Sequence, residues 1–550
     1  MRIRSIHICL LSSLALLTSC GGGNNGVNTG TGGGSNPPPA STAAYTLVAW
    51  SELGMHCIDG KDYSIFAVLP PYNVVRAQLI KRGDPSQLVS SGVTITYEAV
   101  ADAAGSINTS SSGKSNFWTY ANPLFLTSLA LDVGLTGKAV QSHTPQPMDY
   151  DSQAGVWAAV GIPTVPYDDR GTRNAYPMGK VVAKDSNGTV LATAKVVLAV
   201  SDELTCSVCH ASGSNAAAQP ASGWENDPDP ARDVKLNILK LHDQKSDITA
   251  ALAAIATSGY HYQSSLYSTA KSGTPILCAT CHSSNALGTA GVPGVEPVTT
   301  AMHSHHASVV FPASGTSLDN ATSPFASCYL CHPGLQTRCQ RGAMNGVACM
   351  SCHGNLSAVG NPARVGWMDL PSCQNCHANS QRFTTTFDGT GQWRNVADAV
   401  FATNPNVPMT GKHLYRFSKG HGGLYCSACH GSPHAEYPTN LPNDNVYSND
   451  LQGHSGMLAE CATCHTSTTV SSTGGPHGIH TIGQTWVNKH HSFVDNGAAS
   501  CAYCHGADFK GSALSQTRAA RSFTTEDSSK SYPSGGMVSC YDCHNGPSGG

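Results

Sequence analysis

The sequence has little charge for its length and no long apolar segment beyond its first twenty residues. Asp, Glu, Lys and Arg account for 12% of the 550 residues, about half of the quarter that is usual in soluble domains. The formal net charge at pH 7 is −3, so the chain lacks the surplus of Lys and Arg with which proteins neutralise nucleic-acid phosphates. We therefore expect no nucleic-acid partner, and no later stretch is apolar enough to cross a bilayer as a helix.

The N-terminus has the features of a bacterial export signal. Arg2 and Arg4 precede a short, mostly apolar run from residue 6 to residue 17, which is typical of a secretory signal peptide and too short to span a membrane. The run ends in Leu-Thr-Ser-Cys, which resembles the lipobox of bacterial lipoproteins and predicts that residues 1–19 are removed and that Cys20 carries lipid. An ordinary cleavage site that includes a cysteine is the alternative. Because Gly21 rather than Asp follows, the resemblance favours an outer-membrane lipoprotein at the cell surface, with the periplasmic face as the alternative.

Two segments separate this anchor from the rest of the chain. Residues 20–44 are rich in Gly, Asn, Thr, Ser and Pro, which predicts a flexible tether. Residues 45–200 contain short β-branched and aromatic runs between Gly, Pro, Asn and Asp, and Asn187-Gly188 is typical of a hairpin turn between two strands. We predict an all-β domain of immunoglobulin-like sandwich character over residues 45–200.

One motif, Cys-x-x-Cys-His, occurs nine times between residue 201 and the C-terminus. Two thiols at this spacing can add across the vinyl groups of a haem, and the next residue, a histidine, can then bind the iron from one face. The motifs therefore predict nine c-type haems. The covalent attachment residues are Cys206, Cys209, Cys278, Cys281, Cys328, Cys331, Cys349, Cys352, Cys373, Cys376, Cys426, Cys429, Cys461, Cys464, Cys501, Cys504, Cys540 and Cys543. The proximal iron ligands are His210, His282, His332, His353, His377, His430, His465, His505 and His544.

A zinc site or a disulfide pair would also explain a single Cys-x-x-Cys. Histidine, however, makes up only 25 of the 550 residues, so nine such pairs all followed by His are not a chance arrangement. The motifs use 18 of the 22 cysteines. Cys9 leaves with the signal peptide and Cys20 is the lipid site, while Cys57 and Cys339 either pair with each other or stay buried as thiols.

A haem iron that shuttles electrons takes a second axial ligand, usually His or Met. After the nine proximal histidines and His7 of the signal are set aside, 15 histidines remain. We predict nine of them as distal ligands: His56, His242, His303, His306, His421, His434, His454, His480 and His490. A packed core histidine is the alternative for His56, which lies in the β-rich segment.

The intervals between motifs leave little room for regular sheet. We therefore predict that residues 201–550 form a cytochrome c domain of short helices and loops, in which the apolar macrocycles supply much of the core. The longest interval contains two apolar periodicities of helical spacing, over residues 230–245 and 247–258. The first helix carries His242 on its apolar face.

Several longer segments resemble one family. They are Trp50-Ser-Glu-Leu-Gly-Met-His-Cys57, Arg338-Cys-Gln-Arg-Gly-Ala-Met344, Cys426-Ser-Ala-Cys-His-Gly-Ser-Pro-His-Ala-Glu-Tyr-Pro438 and Cys501-Ala-Tyr-Cys-His-Gly-Ala-Asp-Phe-Lys-Gly511. With them the chain resembles the multihaem c-type cytochromes that metal-reducing bacteria place on their outer surface. The resemblance implies an electron conduit to extracellular acceptors such as metal oxides, electrodes or partner cytochromes. The sequence leaves open which acceptor is used, the order and potentials of the haems, and whether copies polymerise.

A multihaem reductase of a small oxyanion or nitrogen compound, with one open haem, is the alternative function. Such enzymes often replace the proximal histidine of the active haem with Lys, and none of the nine motifs ends in Lys. The supply of distal histidines also suffices for every iron, so the sequence favours an electron carrier over an enzyme. We assign no catalytic residue.

Overall fold

The computed structural model describes residues 43–204, 206–364, 415–466 and 483–494, and most of the chain from residue 501 to residue 547. It also describes residues 480 and 498 and the backbone of residues 385–387 and 393–395. The signal peptide, Cys20, most of the tether and the fifth motif with Cys373, Cys376 and His377 lie outside the described residues.

Residues 45–201 form a β-rich region. Its strands are Tyr45–Ser51 (β1), His56–Cys57 (β2), Phe66–Ala67 (β3), Val74–Lys81 (β4), Gln87–Val89 (β5), Val93–Val100 (β6), Gln146–Pro147 (β7), Asp149–Asp151 (β8), Val156–Val160 (β9), Met178–Asp185 (β10), Val190–Val197 (β11) and Val200–Ser201 (β12). One helix, Phe117–Phe125 (α1), lies between β6 and β7. The prediction of an N-terminal β-rich region is therefore confirmed.

Two antiparallel sheets dominate this region. The first has the strand order β1-β4-β9-β8, with β5 paired to β4, and the second has the order β11-β10-β6-β7. Leu47 and Leu79 from the first sheet and Ile95 and Val181 from the second are fully buried in one shared cluster. The predicted hairpin connects β10 and β11, with Gly188 at a φ of +83°. Glycine suits this turn because it has no Cβ to clash at positive φ.

Two short parallel pairings connect the β-rich region to the first motifs. β12 pairs with β2, and the chain reaches Cys206 a few residues later. Ile276–Leu277 (β13) pairs with β3, and Cys278 follows immediately. The start of the motif region is therefore held by backbone hydrogen bonds to the strands that precede it.

The rest of the chain is a mixture of short elements. The helices are Ser207–His210 (α2), Pro230–Lys245 (α3), Thr249–Ala256 (α4), Leu266–Lys271 (α5), Val298–Ala307 (α6), Cys349–His353 (α7), Leu356–Val359 (α8), Cys426–His430 (α9), Pro442–Gln452 (α10), Gln484–Lys489 (α11), His491–Val494 (α12) and Ala502–His505 (α13). The strands are paired two by two: Val310–Phe311 (β14) with Thr316–Ser317 (β15), Thr385–Phe387 (β16) with Trp393–Asn395 (β17), Gly431–Ser432 (β18) with Ala435–Glu436 (β19), and Arg521–Thr524 (β20) with Ser529–Tyr532 (β21).

The two helices predicted in the longest interval are present as α3 and α4. α3 has the predicted bounds because Asp229 caps it, accepting a hydrogen bond from the Ala231 amide at 2.9 Å, and Pro230 occupies the first helical position. A side-chain acceptor before the helix and a proline at its start both stabilise a helix N-terminus. α4 is shorter than predicted, since it runs from Thr249 to Ala256.

The β-rich region and the motif region share one hydrophobic core. The ring of Tyr425, next to Cys426, packs 5.2 Å from the ring of Trp50 in β1. Its hydroxyl donates a hydrogen bond to the carbonyl of Ala154 at 3.1 Å. Within the residues described, no helix is both long and apolar enough for a membrane span.

Candidate haem-binding site

Each described Cys-x-x-Cys-His motif forms a single tight turn. In the first motif the amide of His210 donates to the carbonyl of Cys206 at 2.8 Å, and in the third the amide of His332 donates to that of Cys328 at the same distance. This i to i+4 bond is that of one helical turn, which brings the side chains at i, i+3 and i+4 to one side. The local fold of the motif therefore points both thiols and the imidazole in the same direction.

Seven motif histidines face a second histidine from elsewhere in the described chain. The pairs are His210 with His306, His282 with His242, His332 with His303, His353 with His434, His465 with His421, His505 with His480, and His544 with His490. Their ring centroids are separated by 5.8 to 6.5 Å.

The separation matches the space that one metal ion needs between two imidazoles. A ring nitrogen binds a metal at about 2.0 Å and lies about 1.1 Å from its ring centre, so two rings on opposite sides of one ion are about 6.2 Å apart. The separations in the seven pairs are therefore compatible with one metal ion between the two rings. The two thiols of each motif lie within the same turn as one of the rings, as covalent haem attachment requires.

Hydrogen bonds at Nδ1 leave the other ring nitrogen free to face the iron. Nδ1 contacts a backbone carbonyl in five rings: His282 with Glu296, His303 with Thr299, His306 with Met302, His490 with Val487, and His505 with Val538, at 2.7 to 3.0 Å. A carbonyl accepts only from a protonated nitrogen, so the proton sits on Nδ1 and the lone pair on Nε2. This is the usual second interaction of a histidine that binds a metal.

Burial favours the neutral form of five of the paired imidazoles. Desolvation lowers the pKa of His210, His332 and His353 to about 4. It also lowers the pKa of His242 and His303 below the ordinary value. A neutral imidazole is the form that donates a lone pair to a metal. The protein environment therefore favours the ligating form at neutral pH.

His434 differs from the others because its Nδ1 lies 3.5 Å from the sulfur of Cys339. Although burial lowers the pKa of His434, this contact raises it above the ordinary value. Burial raises the pKa of the Cys339 thiol, and the contact with His434 lowers it overall. Cys339 and Cys57 are both present as thiols, not as a disulfide.

The pairs do not follow the order of the sequence. His303 and His306 lie one turn apart on α6, yet they face the third motif and the first motif respectively. His421 and His434 flank the sixth motif in sequence but face His465 of the seventh and His353 of the fourth. A helix or loop between two motifs therefore places histidines against motifs that precede it and motifs that follow it in the sequence.

The paired histidines line one continuous cavity of about 3760 Å³, together with the motif cysteines whose side chains the structure describes. Its wall includes apolar side chains such as Leu239, Leu252 and Leu330, and it runs from the first motif to the ninth. A largely apolar space with imidazoles and thiols in its wall has the chemical character that would suit haems, whose macrocycles are apolar and whose irons take nitrogen ligands. No group of three or more His, Cys, Asp or Glu that could hold a metal ion is found in the part of the chain that the structure describes.

Two predicted distal ligands are not beside a described motif histidine. His454 contacts the carbonyl of Ser455 through Nδ1 at 3.0 Å and the carboxylate of Glu460 through Nε2 at 3.3 Å. His56 is buried, its ring lies 5.6 Å from the ring of Tyr72, and its Nε2 has no hydrogen-bond partner. Desolvation lowers the pKa of His56 to about 4, and the residue lines the same cavity as His430 of the sixth motif.

Two contacts with the paired imidazoles are not predictable from the sequence. Asp84 accepts from Nδ1 of His465, which is 381 positions away in the sequence, and Cys339 approaches His434, which is 95 positions away. Asp84 lies in no motif of the sequence, and for Cys339 the sequence predicts only that it pairs with Cys57 or stays buried as a thiol. Comparison with protein-family models, with curated proteins and with solved structures gives no match in any of the three.

Proposed function

We propose that this protein is a multihaem c-type cytochrome that carries electrons along nine covalently bound haems to an extracellular acceptor. The observation that carries the proposal is the facing of seven motif histidines by a second imidazole at the separation that one iron requires. When bound, the haems supply reversible one-electron chemistry. The chain attaches them through the motif cysteines and orients them with the paired imidazoles.

Occupation of both iron faces by imidazole favours a carrier over a reductase. An enzyme acting on nitrite or a similar small molecule needs one iron with an open position, and in these seven pairs the protein supplies a ligand to each face. The His-only ligand sets also differ from Met ligation, which raises the haem potential. Similar ligands at every iron keep the potentials close together, which is what a conduit requires.

The first, third and fourth motifs lie close to one another. α6 carries a ligand for the first motif and one for the third on adjacent turns. The thiols of Cys328 in the third motif and Cys349 in the fourth are within hydrogen-bonding reach of each other. These contacts support transfer between successive haems, because electron transfer slows steeply with distance.

We propose His56 as the distal ligand of the haem attached to Cys426 and Cys429. Its buried, unpartnered Nε2 faces the interior, and residues 51–54, just before it, pack against the turn that follows His430. Ser432 donates to the carbonyl of Ser51 at 2.5 Å, and this bond holds the two segments together. The sixth haem would thereby link the β-rich region to the motif region.

The location and the fold family are part of the same proposal. The export signal and Cys20 support an outer-membrane lipoprotein whose body faces the outside of the cell, where partner cytochromes, metal oxides or an electrode can accept electrons. The two packed antiparallel sheets support an immunoglobulin-like sandwich for residues 45–200, followed by a cytochrome c domain.

Electron delivery by the purified holoprotein tests the carrier proposal against the reductase. Protein reduced with dithionite should pass electrons to ferric citrate and to a poised electrode. It should consume nitrite and hydroxylamine no faster than a heat-denatured sample of equal haem content. Rapid, saturable consumption of either nitrogen compound would instead support the reductase.

A further inference from the structure

One imidazole in the row of paired histidines has a carboxylate as its hydrogen-bond acceptor. Nδ1 of His465, in the seventh motif, lies 2.9 Å from Oδ1 of Asp84. The five rings with backbone acceptors bond to neutral carbonyl oxygens, and His434 contacts a sulfur. Asp84 lies in the loop between β4 and β5, so this contact comes from the β-rich region.

Other contacts hold the same loop against the seventh motif. Oδ2 of Asp84 accepts a hydrogen bond from the hydroxyl of Thr466 at 3.1 Å. Arg82 donates to the carbonyl of Ala462 at 2.7 Å and to that of His465 at 3.2 Å. Thr46 of β1 donates to the carbonyl of Thr463. These contacts fix the position of the loop and so orient the carboxylate of Asp84 towards the imidazole of His465.

We propose that Asp84 is a positioning residue that lowers the potential of the haem held by His465 and His421, relative to the haems whose ligands bond to carbonyls. This inference rests on the proposed function. A hydrogen bond to a carboxylate is charge-assisted and stronger than one to a carbonyl. It draws the Nδ1 proton away from the ring and so makes the ring a better donor to the iron. Both this donation and the nearby negative charge stabilise ferric over ferrous iron.

The proposal predicts that one haem has a lower reduction potential than the others. Asp84 would thereby make the site of His465 and His421 the last of the seven paired sites to be reduced and the first to be oxidised. The carboxylate of Asp84 is 39% exposed, and solvent weakens the interaction, so the difference in potential is moderate. We expect the loss of the carboxylate charge to raise the reduced-to-oxidised ratio of this haem about tenfold at a fixed potential, which is about 59 mV for a one-electron couple.

The test first gives this haem a spectroscopic signal that the other eight lack. It then removes the negative charge of Asp84. In His421→Ala, the loss of the opposite ligand should make the seventh-motif iron the one that gives a high-spin electron paramagnetic resonance signal. Potentiometric titration of that signal follows one haem alone. The titration is compared between His421→Ala, His421→Ala with Asp84→Asn, and His421→Ala with Asp149→Asn. Asp149 is the control because it is an exposed carboxylate paired with Lys138.

We expect Asp84→Asn to move the midpoint of the high-spin signal upwards by about 59 mV and Asp149→Asn to leave it in place. In a background with all ligands intact, Asp84→Asn should also remove one low-potential component from the absorbance titration. An unchanged midpoint with all haems attached would overturn the role of Asp84 and leave the proposed function intact. Absence of a high-spin signal in His421→Ala would overturn the ligand pair itself, and absence of covalent haem in the pyridine haemochrome assay would overturn both proposals.

Discussion

The imidazole planes of His303 and His332 are 17° from parallel, with their ring centroids 6.0 Å apart. Those of His242 and His282 have a similar separation of 6.2 Å but are inclined at 86°. The same two extremes recur in other pairs: the angle is 18° for His490 with His544 and 75° for His210 with His306. Six of the seven proposed irons therefore fall into two classes of ligand geometry, and the pair of His421 with His465 is intermediate at 49°.

These two classes predict two kinds of low-spin signal. The mutual angle of two planar axial ligands determines how far the iron d orbitals split, so parallel and perpendicular pairs differ in electron paramagnetic resonance. We expect the oxidised protein to give only low-spin haem, with a rhombic component from the near-parallel pairs and a strongly anisotropic component from the near-perpendicular ones. A stoichiometric high-spin signal that nitrite or hydroxylamine perturbs would contradict the carrier proposal.

The number of covalent haems is a second prediction. We expect the intact mass of the mature protein under denaturing conditions to include nine haems, one for each motif. Cys278→Ala with Cys281→Ala should remove one haem and leave eight, because thioether attachment needs the thiols of that motif. A mature protein with eight haems or fewer before any substitution would rule out the count.

The histidine pairs predict a difference between two substitutions in similar sequence contexts. His306→Ala should convert one haem to high spin, since His306 is the imidazole that faces His210. His305→Ala is the matched control, because the exposed His305 lies beside His306 on α6, contacts Glu296 and should leave the low-spin spectrum unchanged. Equal spectra from the two variants would show that the pairing does not reflect ligation.

His56 provides a separate prediction from the β-rich region. His56→Ala should convert one haem to high spin without loss of covalent haem, because the buried Nε2 of His56 has no hydrogen-bond partner to release. His143→Ala is the control, as His143 is exposed. Loss of thermal stability without any high-spin signal would instead indicate that His56 is a packed core histidine.

A buried ion pair next to the fourth-motif ligand predicts an effect on stability. Arg341 donates to both carboxylate oxygens of Asp444 at 2.6 and 2.9 Å and to the carbonyl of Gly54 at 2.5 Å. Its side chain is 2% exposed, so Asp444→Asn leaves a buried charge without its partner. We expect the free energy of unfolding of the holoprotein to fall by about 3–5 kcal/mol.

Lys195→Met, which breaks the exposed pair with Asp450, is the matched control for this measurement. Its effect should be about 0–1 kcal/mol, because exposed pairs are screened by solvent. Denaturant unfolding followed by the tryptophan and haem signals of both variants measures the difference. Similar losses in the two variants would mean that burial does not strengthen the Arg341 pair.

The sequence by itself determined those features whose cause is contained in a few neighbouring residues. The bounds of α3 follow from Asp229 and Pro230 at its start and an apolar period along its length. The β10–β11 hairpin follows from Asn187-Gly188, and the turn of each described motif from five consecutive residues. The nine motif copies and the attachment chemistry that they predict can likewise be recognised from the sequence alone.

Only the tertiary structure decided which histidine faces which motif and what lies behind each ring. Seven of the nine predicted distal histidines face motif histidines, yet His421 and His434 pass over the motif that they flank, and His306 reaches back to His210. Such pairings depend on how distant turns pack around a shared apolar cavity, which local patterns do not encode. The contact of Asp84 with His465 has the same origin: the carboxylate and the imidazole are brought together by the packing of the β-rich region on the seventh motif, and no spacing in the sequence signals it.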